Sequence, residues 1–263
     1  MSIRRFAELV CGRIEFTRRL PSTSGSGLIR VSTRVGGLKY LFKTASHWDE
    51  ELLSMAKLLV APNEHVWDVG ANVGLFSMAA AFHAGEGGSI LSIEADIDAI
   101  ALLHSTASNH WANHARISVL PVAISDDNGV VVFAIAQRAR AANAIHGYGS
   151  SQMGGVSSVR AVPCMTLDRL LAFYPAPDVL KIDVEGAETL VLRGAREVLH
   201  QYRPKIYCEV NCNTAPVVCA WLKELGYAVW DGGGFVHGTR DPVSHATTNL
   251  VAIHSGEDKN RPS

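Results

Sequence analysis

The residues with the clearest chemical potential follow an apolar run in "VLKIDVEGAE" (179–188). Asp183 ends the predicted strand, Lys181 lies on the same face two residues earlier, and Glu185 follows in a turn that Gly186 permits. A carboxylate at this position can orient a hydroxyl group or remove its proton, and a neighbouring lysine can stabilise negative charge. The segment therefore predicts acid–base catalysis, with Asp183 as the principal residue and Lys181 and Glu185 shaping the site.

The following strand brings further oxygen atoms to the same place. "KIYCEVN" (205–211) ends with Glu209 and Asn211, and the carboxyl ends of neighbouring parallel strands meet at one edge of a sheet. Glu209 therefore joins the candidate catalytic residues. Asp183, Glu209 and Asn211 also offer the oxygen ligands that Mg²⁺ accepts, so a magnesium site is a second interpretation. In a third interpretation, the acids only cap helices and Lys181 only extends its amine to solvent.

A glycine-rich turn, "DVGANVG", begins at Asp68. The dinucleotide fingerprint G-x-G-x-x-G requires a second glycine where Asn72 stands, so the turn does not favour a pyrophosphate. Gly70 and Gly74 still allow a tight strand-to-helix turn, in which backbone N–H groups, including that of Ala71, face a carboxylate. Asp68 at the strand end is placed to accept from an ammonium group. An amino-acid moiety fits both features.

The next predicted strand ends in "SIEAD", which places Glu94 and Ala95 beside the glycine-rich turn. An acid at this point of an open α/β sheet binds ribose hydroxyl groups. A ligand that joins an amino acid to a ribose without a phosphate is S-adenosylmethionine, which we therefore predict as the cofactor. The alternative is that the glycines only shape a turn and that Glu94 is an exposed cap.

Strands and helices alternate along most of the chain, which positions these residues at one edge of a sheet. Strands are predicted at 65–69, 89–95, 117–125, 130–136, 158–164, 178–184, 205–210, 227–231 and 249–254. Helices are predicted at 49–60, 73–84, 97–109, 166–174, 187–200 and 214–225. This order predicts an α/β fold with a mostly parallel sheet covered on both faces. The strands at 130–136 and 158–164 are expected to pair as a hairpin, and one of the last two strands is expected to run antiparallel.

The first 49 residues lie outside this alternating pattern. Apolar spacing predicts an amphipathic helix over 2–17, a linker over 21–27, and a hairpin over 28–43 that turns at Gly36-Gly37. The predicted organisation is an N-terminal extension at 1–49, one α/β domain at 50–255 and a disordered tail at 256–263.

Two polar regions outside the strand ends are candidate contacts for a substrate. The segment 137–157 has no convincing periodicity, and a loop of this length is either disordered or functional. If it is functional, its substrate contacts are His146, Tyr148 and Gln152. His237, after "DGGGF", is a further candidate that could reach the substrate as a base.

Composition excludes several classes of partner. The chain has 263 residues, 48% of them hydrophobic, with a net charge of −1 and an isoelectric point near 6.8. No strong attraction to nucleic acid or to an anionic membrane is expected. The N-terminal extension is nevertheless basic, either as a solvated face or as a docking surface, so a homodimer through this extension is one prediction.

The cysteines and the hydropathy pattern predict a cytoplasmic protein. Five cysteines form no C-x-x-C pair and no zinc-type spacing, which favours free thiols in a reducing compartment. No apolar run reaches the roughly 18 residues of a membrane span. Charged residues interrupt the start of the chain, which argues against a signal peptide.

Together, "DVGANVGLFS", "IEAD", "AISDDNG", "TLDRLL" and "LKIDVEGAETLVLRGA" resemble the FkbM family of S-adenosylmethionine-dependent methyltransferases over about residues 50–255. The resemblance implies a class I, Rossmann-like methyltransferase fold with seven strands, the last one antiparallel. It implies that the glycine-rich turn and Glu94 bind the cofactor and that Asp183 and Glu185 belong to the family's "IDVEG" signature. It also places two residues near the adenine, Ser125 and Asp126.

The resemblance further implies methyl transfer to an oxygen of a sugar, a polyketide or a related natural product. An alcohol needs its proton removed before or during attack, so Asp183 is expected to orient or deprotonate the acceptor. The small-molecule acceptor itself is not specified by the sequence. N-methylation of an amine or peptide, and a non-catalytic subunit that only binds the cofactor, are the alternatives.

Overall fold

The computed structural model describes residues 15–32, 35, 49–109, 112–136, 143–149, 154–239, 241–244, 246 and 248–256. The strands in these residues are β1 Glu15–Arg19, β2 Leu28–Ser32, β3 His65–Val69, β4 Ser89–Glu94, β5 Arg116–Pro121, β6 Ala123–Ile124, β7 Gly129–Ala136, β8 Ala144–Ile145, β9 Val156–Met165, β10 Val179–Ile182, β11 Lys205–Glu209, β12 Tyr227–Asp231 and β13 Asn249–His254. The α-helices are α1 Glu50–Leu59, α2 Leu75–Ala84, α3 Ile97–Ala107, α4 Leu167–Leu170, α5 Glu188–Arg193, α6 Ala215–Glu224 and α7 Gly232–Val236.

Seven of the described strands form the central sheet, in the order β12-β13-β11-β10-β3-β4-β5. Strands β11, β10, β3, β4 and β5 are parallel to one another, whereas β13 is antiparallel to both of its neighbours. Strands β3, β4 and β10 are almost completely buried, as expected for strands that helices cover on both faces. The predicted fold class, a Rossmann-like, mostly parallel sheet with an antiparallel last strand, is confirmed.

The central sheet separates two apolar cores. One core lies beneath α1, α2 and α3 and includes Val66, and the other lies beneath α4, α5 and α6 and includes Trp67. Neighbouring residues of one strand reach opposite cores because side chains alternate across a sheet. In the part of the chain that the structure describes, no helix is long and apolar enough to cross a membrane.

A smaller accessory sheet, with the strand order β6-β9-β7-β8, lies beside the central one. Strands β7 and β9 are antiparallel, which confirms the predicted hairpin. The predicted strand 117–125 is interrupted at Val122, because β5 belongs to the central sheet and β6 to the accessory sheet. Residues 144–145, predicted as loop, form β8 against Phe133 and Ala134. A two-residue strand leaves no periodicity in the sequence, so this part of the loop prediction was wrong.

The N-terminal region differs from its predicted form. Residues 15–17 of the predicted helix lie in β1, and residues 1–14 lie outside the described part of the chain. Strand β2 pairs with β1 across the predicted linker, so residues 28–32 belong to an earlier hairpin, and the turn predicted at 36–37 lies outside the description. The linker turns tightly because the Leu20 amide donates to the Gly27 carbonyl oxygen.

Several helices differ from the predicted spans. The predicted helix 166–174 forms only the short α4, and the predicted helix 187–200 divides into α5 and a π-helix over Val198–Tyr202. Helix α7 was not predicted, because its sequence is "GGGFV" and glycine disfavours helices. Asp231 stabilises the start of α7 by accepting a hydrogen bond from the Gly234 amide.

Candidate active site

Lys181 connects the glycine-rich turn to the carboxylates at the sheet edge. It lies opposite Asp68 in the pairing of β10 with β3. Its Nζ atom is 2.9 Å from Asp68 Oδ1 and 3.5 Å from Asp183 Oδ2, and it donates a 3.0 Å hydrogen bond to the Gly70 carbonyl oxygen. The lysine is only 3% exposed, so these contacts occur away from bulk water.

Neighbouring carboxylates keep the Lys181 side chain protonated. Burial alone would lower the pKa of Lys181, but the carboxylates of Asp68 and Asp183 act more strongly together and raise the pKa above its ordinary value. The lysine is therefore a permanent cation rather than a proton donor. Its ion pair with Asp183 helps to fix the position of that side chain.

Asp68 has partners other than the predicted ammonium group. Its side chain is fully buried, with Oδ1 against Lys181 and Oδ2 accepting a 2.6 Å hydrogen bond from Ser77 Oγ. Ser77 in turn contacts Ser92 Oγ at 2.7 Å. Direct contact between Asp68 and a ligand is therefore a correction to the sequence prediction, because both carboxylate oxygens are already occupied within the protein.

The glycine-rich turn is as tight as its sequence predicts. Gly70 has φ +77°, and a Cβ atom at this position would overlap the carbonyl oxygen of Asp183. Gly74 has φ +88°, and its Cβ would lie 2.7 Å from Leu103 Cδ1. Asn72 also has a positive φ, +51°, which asparagine tolerates. Gly70 therefore allows the turn to pack directly against the end of β10.

The backbone amides of this turn mostly donate hydrogen bonds to other groups of the protein. The Gly70 and Ala71 amides both donate to the Ile93 carbonyl oxygen, and the Asn72 amide donates to Glu94 Oε2 at 2.8 Å. These three amides are therefore not free for a ligand carboxylate, contrary to the expectation from sequence. The side chain of Asn72 is different, because its Oδ1 atom is buried and has no hydrogen-bond partner among the described residues.

Glu94 lies at the end of β4 as predicted and is almost fully buried. Its carboxylate accepts hydrogen bonds from the amides of Asn72, Ala95 and Asp96 at 2.7–2.8 Å. Burial raises the pKa of Glu94 to about 7, although the three amides act in the opposite direction. The carboxyl group is held in one orientation beside the glycine-rich turn.

A cavity of about 70 Å³ lies over the carboxyl ends of these strands. Six of the predicted site residues line it, namely Gly70, Asn72, Glu94, Ala95, Asp183 and Glu185. Ala71 and Gly74 are buried in the turn behind it. The cavity is also lined by residues that the sequence did not single out, including Val122, Ala123, Ile124, Phe133, Asn143 and Ile145.

Ser125 and Asp126 are absent from this lining in the part of the chain that the structure describes. The Ser125 amide donates to the Met165 carbonyl oxygen, and its hydroxyl group donates to Asp126 Oδ1 at 3.3 Å. The three preceding residues line the cavity instead. The structure therefore does not place Ser125 and Asp126 in the cavity lining, where the family resemblance implied a contact with the adenine.

Three carboxylates converge beside the cavity. Asp183, Glu185 and Glu209 each present an oxygen atom, and these atoms lie within 4.8 Å of one another. Asn211 does not join them, because its Oδ1 atom accepts from the amides of Asn213 and Thr214. The predicted oxygen set of Asp183, Glu209 and Asn211 is therefore corrected, with Glu185 in place of Asn211.

This grouping changes the protonation of Glu209. Desolvation and the neighbouring carboxylates of Asp183 and Glu185 raise the pKa of Glu209 to about 8, and Lys181 only partly offsets them. At neutral pH the cluster thus holds a proton that can be exchanged with a bound molecule.

The predicted substrate arm lies near this cluster. A Cβ atom at Gly186 would lie 3.0 Å from the Gly149 amide nitrogen, so Gly149 packs against the turn that follows Asp183. The segment 143–149 carries His146 and the partly exposed Tyr148. Gln152 lies outside the described residues.

His237 is placed at the end of α7, where its amide donates to the Gly233 carbonyl oxygen. It is absent from the cavity lining in the described part of the chain. The structure does not bring it together with Asp183, so its predicted role as a base has no geometric support.

A comparison with known protein families identifies the family of this chain. Residues 68–229, more than half of the 263-residue chain, match the methyltransferase FkbM domain. The chain belongs to the FkbM methyltransferase family. The glycine-rich turn, Glu94 and the acids that follow β10 all lie within the matched residues. No protein of curated function matches the chain significantly.

Solved structures with a similar fold include other methyltransferases. The FkbM methyltransferase of Methylobacillus flagellatus KT is 17% identical, with a TM-score of 0.49 over 76% of this chain and 48% of that one. This chain thus spans about half the length of that protein. An S-adenosylmethionine-dependent O-methyltransferase of Thermotoga maritima is 13% identical, with a TM-score of 0.45 over 82% and 68%. Aeropyrum pernix fibrillarin with bound S-adenosylmethionine is 10% identical, with a TM-score of 0.44 over 91% and 93%.

The sequence missed two kinds of residue in this FkbM methyltransferase. Ser77 and its contact with Asp68 could have been expected, because a serine three residues into a helix faces the preceding strand. Asn143 gave no such signal, since it lies in a segment without periodicity and reaches the cavity only through the accessory sheet. Its role depends on contacts that are distant in sequence.

Proposed function

We propose that this FkbM methyltransferase transfers a methyl group to a hydroxyl oxygen of a small molecule, of the sugar or polyketide type. The supporting observation is the cluster of Asp183, Glu185 and Glu209 beside the cofactor cavity. Transfer to an alcohol requires a group that accepts its proton, which an ionised carboxylate of this cluster can do; Glu209, with a pKa of about 8, becomes available for that task as the pH rises.

The cavity offers groups that fit the cofactor. The unpartnered, buried Asn72 Oδ1 is an acceptor for the ammonium of the methionine end, a role that the sequence had assigned to Asp68. Glu94 is placed to accept from ribose hydroxyl groups, and the apolar stretch Val122–Ile124 provides a surface for the adenine. When bound, S-adenosylmethionine supplies an electrophilic methyl group.

The acid cluster then acts on the acceptor. Asp183, fixed by Lys181 at 3.5 Å, orients the acceptor hydroxyl and receives its proton, and Glu209 shares that proton. The segment 143–149 places Tyr148 and His146 where they can contact the remainder of the acceptor. Positioning supplies much of the rate, because the sulfonium is already reactive.

The test is Asp183→Asn, assayed with methyl-labelled cofactor against a panel of hydroxyl and amine acceptors. We expect turnover to fall by a factor on the order of 10²–10⁴ while cofactor affinity stays within a few-fold of the original value. The exposed Asp127→Asn is the matched control and should leave turnover unchanged. Full activity of Asp183→Asn would remove its proposed role. Transfer only to amines would establish N-methylation, and binding without transfer to any acceptor would establish a non-catalytic subunit.

A divalent cation is a second use of the same carboxylates. Oxygen atoms of Asp183, Glu185 and Glu209 within 4.8 Å of one another could ligate Mg²⁺, which would assist ionisation of the acceptor hydroxyl. Exhaustive chelation distinguishes the two uses. Loss of turnover that Mg²⁺ restores would establish the cation, and undiminished turnover would leave proton transfer by the carboxylates.

We further propose that the enzyme acts in the cytoplasm in the biosynthesis of a natural product. Supporting this location, Cys164, Cys208, Cys212 and Cys219 are free within the described residues. A homodimer through the N-terminal extension remains a prediction, because residues 1–14 lie outside the described part of the chain.

A further inference from the structure

The cofactor cavity is too small for the cofactor. Its volume of about 70 Å³ corresponds to roughly five water molecules at roughly 10–15 Å³ each. Pockets for ligands of this size are typically about 300–1,000 Å³. Some part of the lining must therefore move before S-adenosylmethionine enters and before its product leaves.

The accessory sheet forms the wall that is able to move. One side of the cavity consists of the ends of β3, β4 and β10, which are interior strands of the central sheet. The accessory sheet contributes other lining residues, namely Phe133 on β7 and Asn143 and Ile145 beside and on β8. Strand β8 has only two residues and lies at the edge of its sheet, so its separation disrupts little backbone pairing.

A polar network fastens this wall to the central sheet. Asn143 Nδ2 donates a 2.7 Å hydrogen bond to Asp96 Oδ2, and Asn143 Oδ1 accepts from the Ala136 amide at 2.7 Å. Arg160 on β9 contacts Asp96 Oδ1 at 3.1 Å and Asp98 Oδ2 at 3.2 Å. Asp96 is 4% exposed and Asn143 is 9% exposed, so their hydrogen bond is made in a desolvated setting that favours it, whereas Arg160 is partly exposed and its ion pairs are weaker.

The same network reaches the group that is placed to bind the ribose. The Asp96 amide donates a 2.7 Å hydrogen bond to Glu94 Oε1, and Asp96 Oδ1 caps α3 by accepting from the Asp98 amide. Displacement of Asp96 would therefore alter both the helix start and the orientation of Glu94. Asp96 therefore links the accessory sheet to Glu94.

We propose that Asn143 and Arg160 are positioning residues that latch the accessory sheet over the cofactor cavity through Asp96. Release of this latch admits S-adenosylmethionine and lets the product leave, and its closure orders Glu94 against the bound ribose. This proposal rests on binding of the cofactor in this cavity and is independent of the acceptor and of the acid cluster.

Binding kinetics of S-adenosylhomocysteine, the demethylated product, test the latch without any acceptor. For Arg160→Met and Asn143→Ala, we expect both the association rate and the dissociation rate in stopped-flow experiments to rise, by about tenfold or more, because the open state becomes more populated. Arg160→Lys keeps one contact with the aspartates and should lie between the original protein and Arg160→Met. The control is Arg169→Met on α4, where the guanidinium lies over Phe173 and outside the cavity.

A second variant separates the latch from a general loss of structure. Asn143→Asp places a second carboxyl against Asp96, near Asp98, Glu94 and Arg160. At neutral pH the two carboxylates repel each other, and both rates should rise as in Asn143→Ala. In mildly acidic buffer a shared proton restores a hydrogen bond, and the rates should return toward those of the original protein, whereas those of Asn143→Ala should not.

Unchanged rates in Arg160→Met and Asn143→Ala would overturn the proposal. A rise of the dissociation rate alone would also overturn it, since that result describes a lost contact to the ligand and not a gate. Thermal unfolding of each variant identifies protein that has failed to fold. If Arg160→Met and Asn143→Ala show the expected rate changes while Asp183→Asn retains full turnover, the latch is upheld. The proposed catalytic role of Asp183 is then rejected.

Discussion

At the scale of single residues, the buried Lys181 cation holds the site together, since it joins Asp68, Gly70 and Asp183. Lys181→Met would leave the fully buried Asp68 carboxylate without its counter-ion. We expect the free energy of unfolding to fall by about 3–5 kcal/mol, measured by urea denaturation. The double variant Asp68→Asn/Lys181→Met should recover part of this loss, because it removes the uncompensated charge. Equal losses in the single and double variants would contradict this account.

Glu209 is the member of the acid cluster whose raised pKa lies near neutral pH. It is protonated below its pKa of about 8 and ionised above it, so the acid cluster loses its shared proton as the pH rises through that value. We expect kcat to rise with pH through about 8, because the ionised cluster accepts the proton of the acceptor more readily. In Glu209→Gln this step in the pH–rate profile should disappear.

Glu185 provides the matched control for that titration. Its carboxylate raises the pKa of Glu209, so in Glu185→Gln the step should remain and move to lower pH. A step that stays near 8 in both variants belongs to another group. The raised pKa also makes stability depend on pH. Glu209 favours folding most when it is protonated, and this contribution is lost as the pH rises from about 4.5 to about 8.

At the scale of elements, the close approach of the glycine-rich turn to β10 decides the geometry of the site. Gly70→Ala adds a Cβ that overlaps the Asp183 carbonyl oxygen, at φ +77°. We expect a loss of about 3 kcal/mol or more in unfolding free energy, together with loss of S-adenosylhomocysteine binding by calorimetry. Gly238→Ala is the control, because φ is +84° there and nothing lies within 4 Å of the added atom.

The control isolates the cost of the backbone conformation. Gly238→Ala should lose only about 1–2 kcal/mol and keep its affinity for the ligand. The difference between the two variants measures the steric overlap. If both variants lose the same stability, the packing of the turn against β10 contributes nothing.

Element-level prediction worked where the physical signal was local. Alternation along β10 placed Lys181 and Asp183 on one face, and adjacent parallel strands brought Glu209 beside them. Asn211 was misassigned because its side chain makes local hydrogen bonds instead: in "NCNT" it accepts from the amides two and three residues later. Asp68 was misassigned because its counter-ion comes from a strand far along the chain, and only the strand order shows that they meet.

At the scale of the whole molecule, a mostly parallel central sheet was predictable from the sequence, whereas the order of its strands and the accessory sheet were not. The central sheet follows from alternating apolar strands and helices, which must be covered on both faces. The accessory sheet depends on pairing between strands that the sequence separates by a long segment without periodicity. That sheet contributes Phe133, Asn143 and Ile145 to the cavity, so the least predictable part of the fold is also part of the site.

The β1–β2 hairpin was predicted to belong to a separate extension, yet it shares the core of the domain. Leu20, Ile29 and Val31 are buried in the same cluster as α2 and α3, and the Arg30 amide donates to Thr106 Oγ1 at 3.0 Å. Ile29→Ala should therefore lower the unfolding free energy of the whole domain by about 2–5 kcal/mol. The exposed Val130→Ala should change it by less than about 0.5 kcal/mol.

The decisive measurement for Ile29→Ala is cooperativity. If the hairpin belongs to the same folding unit, tryptophan fluorescence and far-ultraviolet circular dichroism should report one coincident transition, shifted to lower urea, in the original protein and the variant. A separate early transition confined to the variant would instead assign the hairpin to an independent unit. Because α3 packs against both β2 and the turn at Gly74, loss of the hairpin should also weaken cofactor binding, which calorimetry with S-adenosylhomocysteine measures.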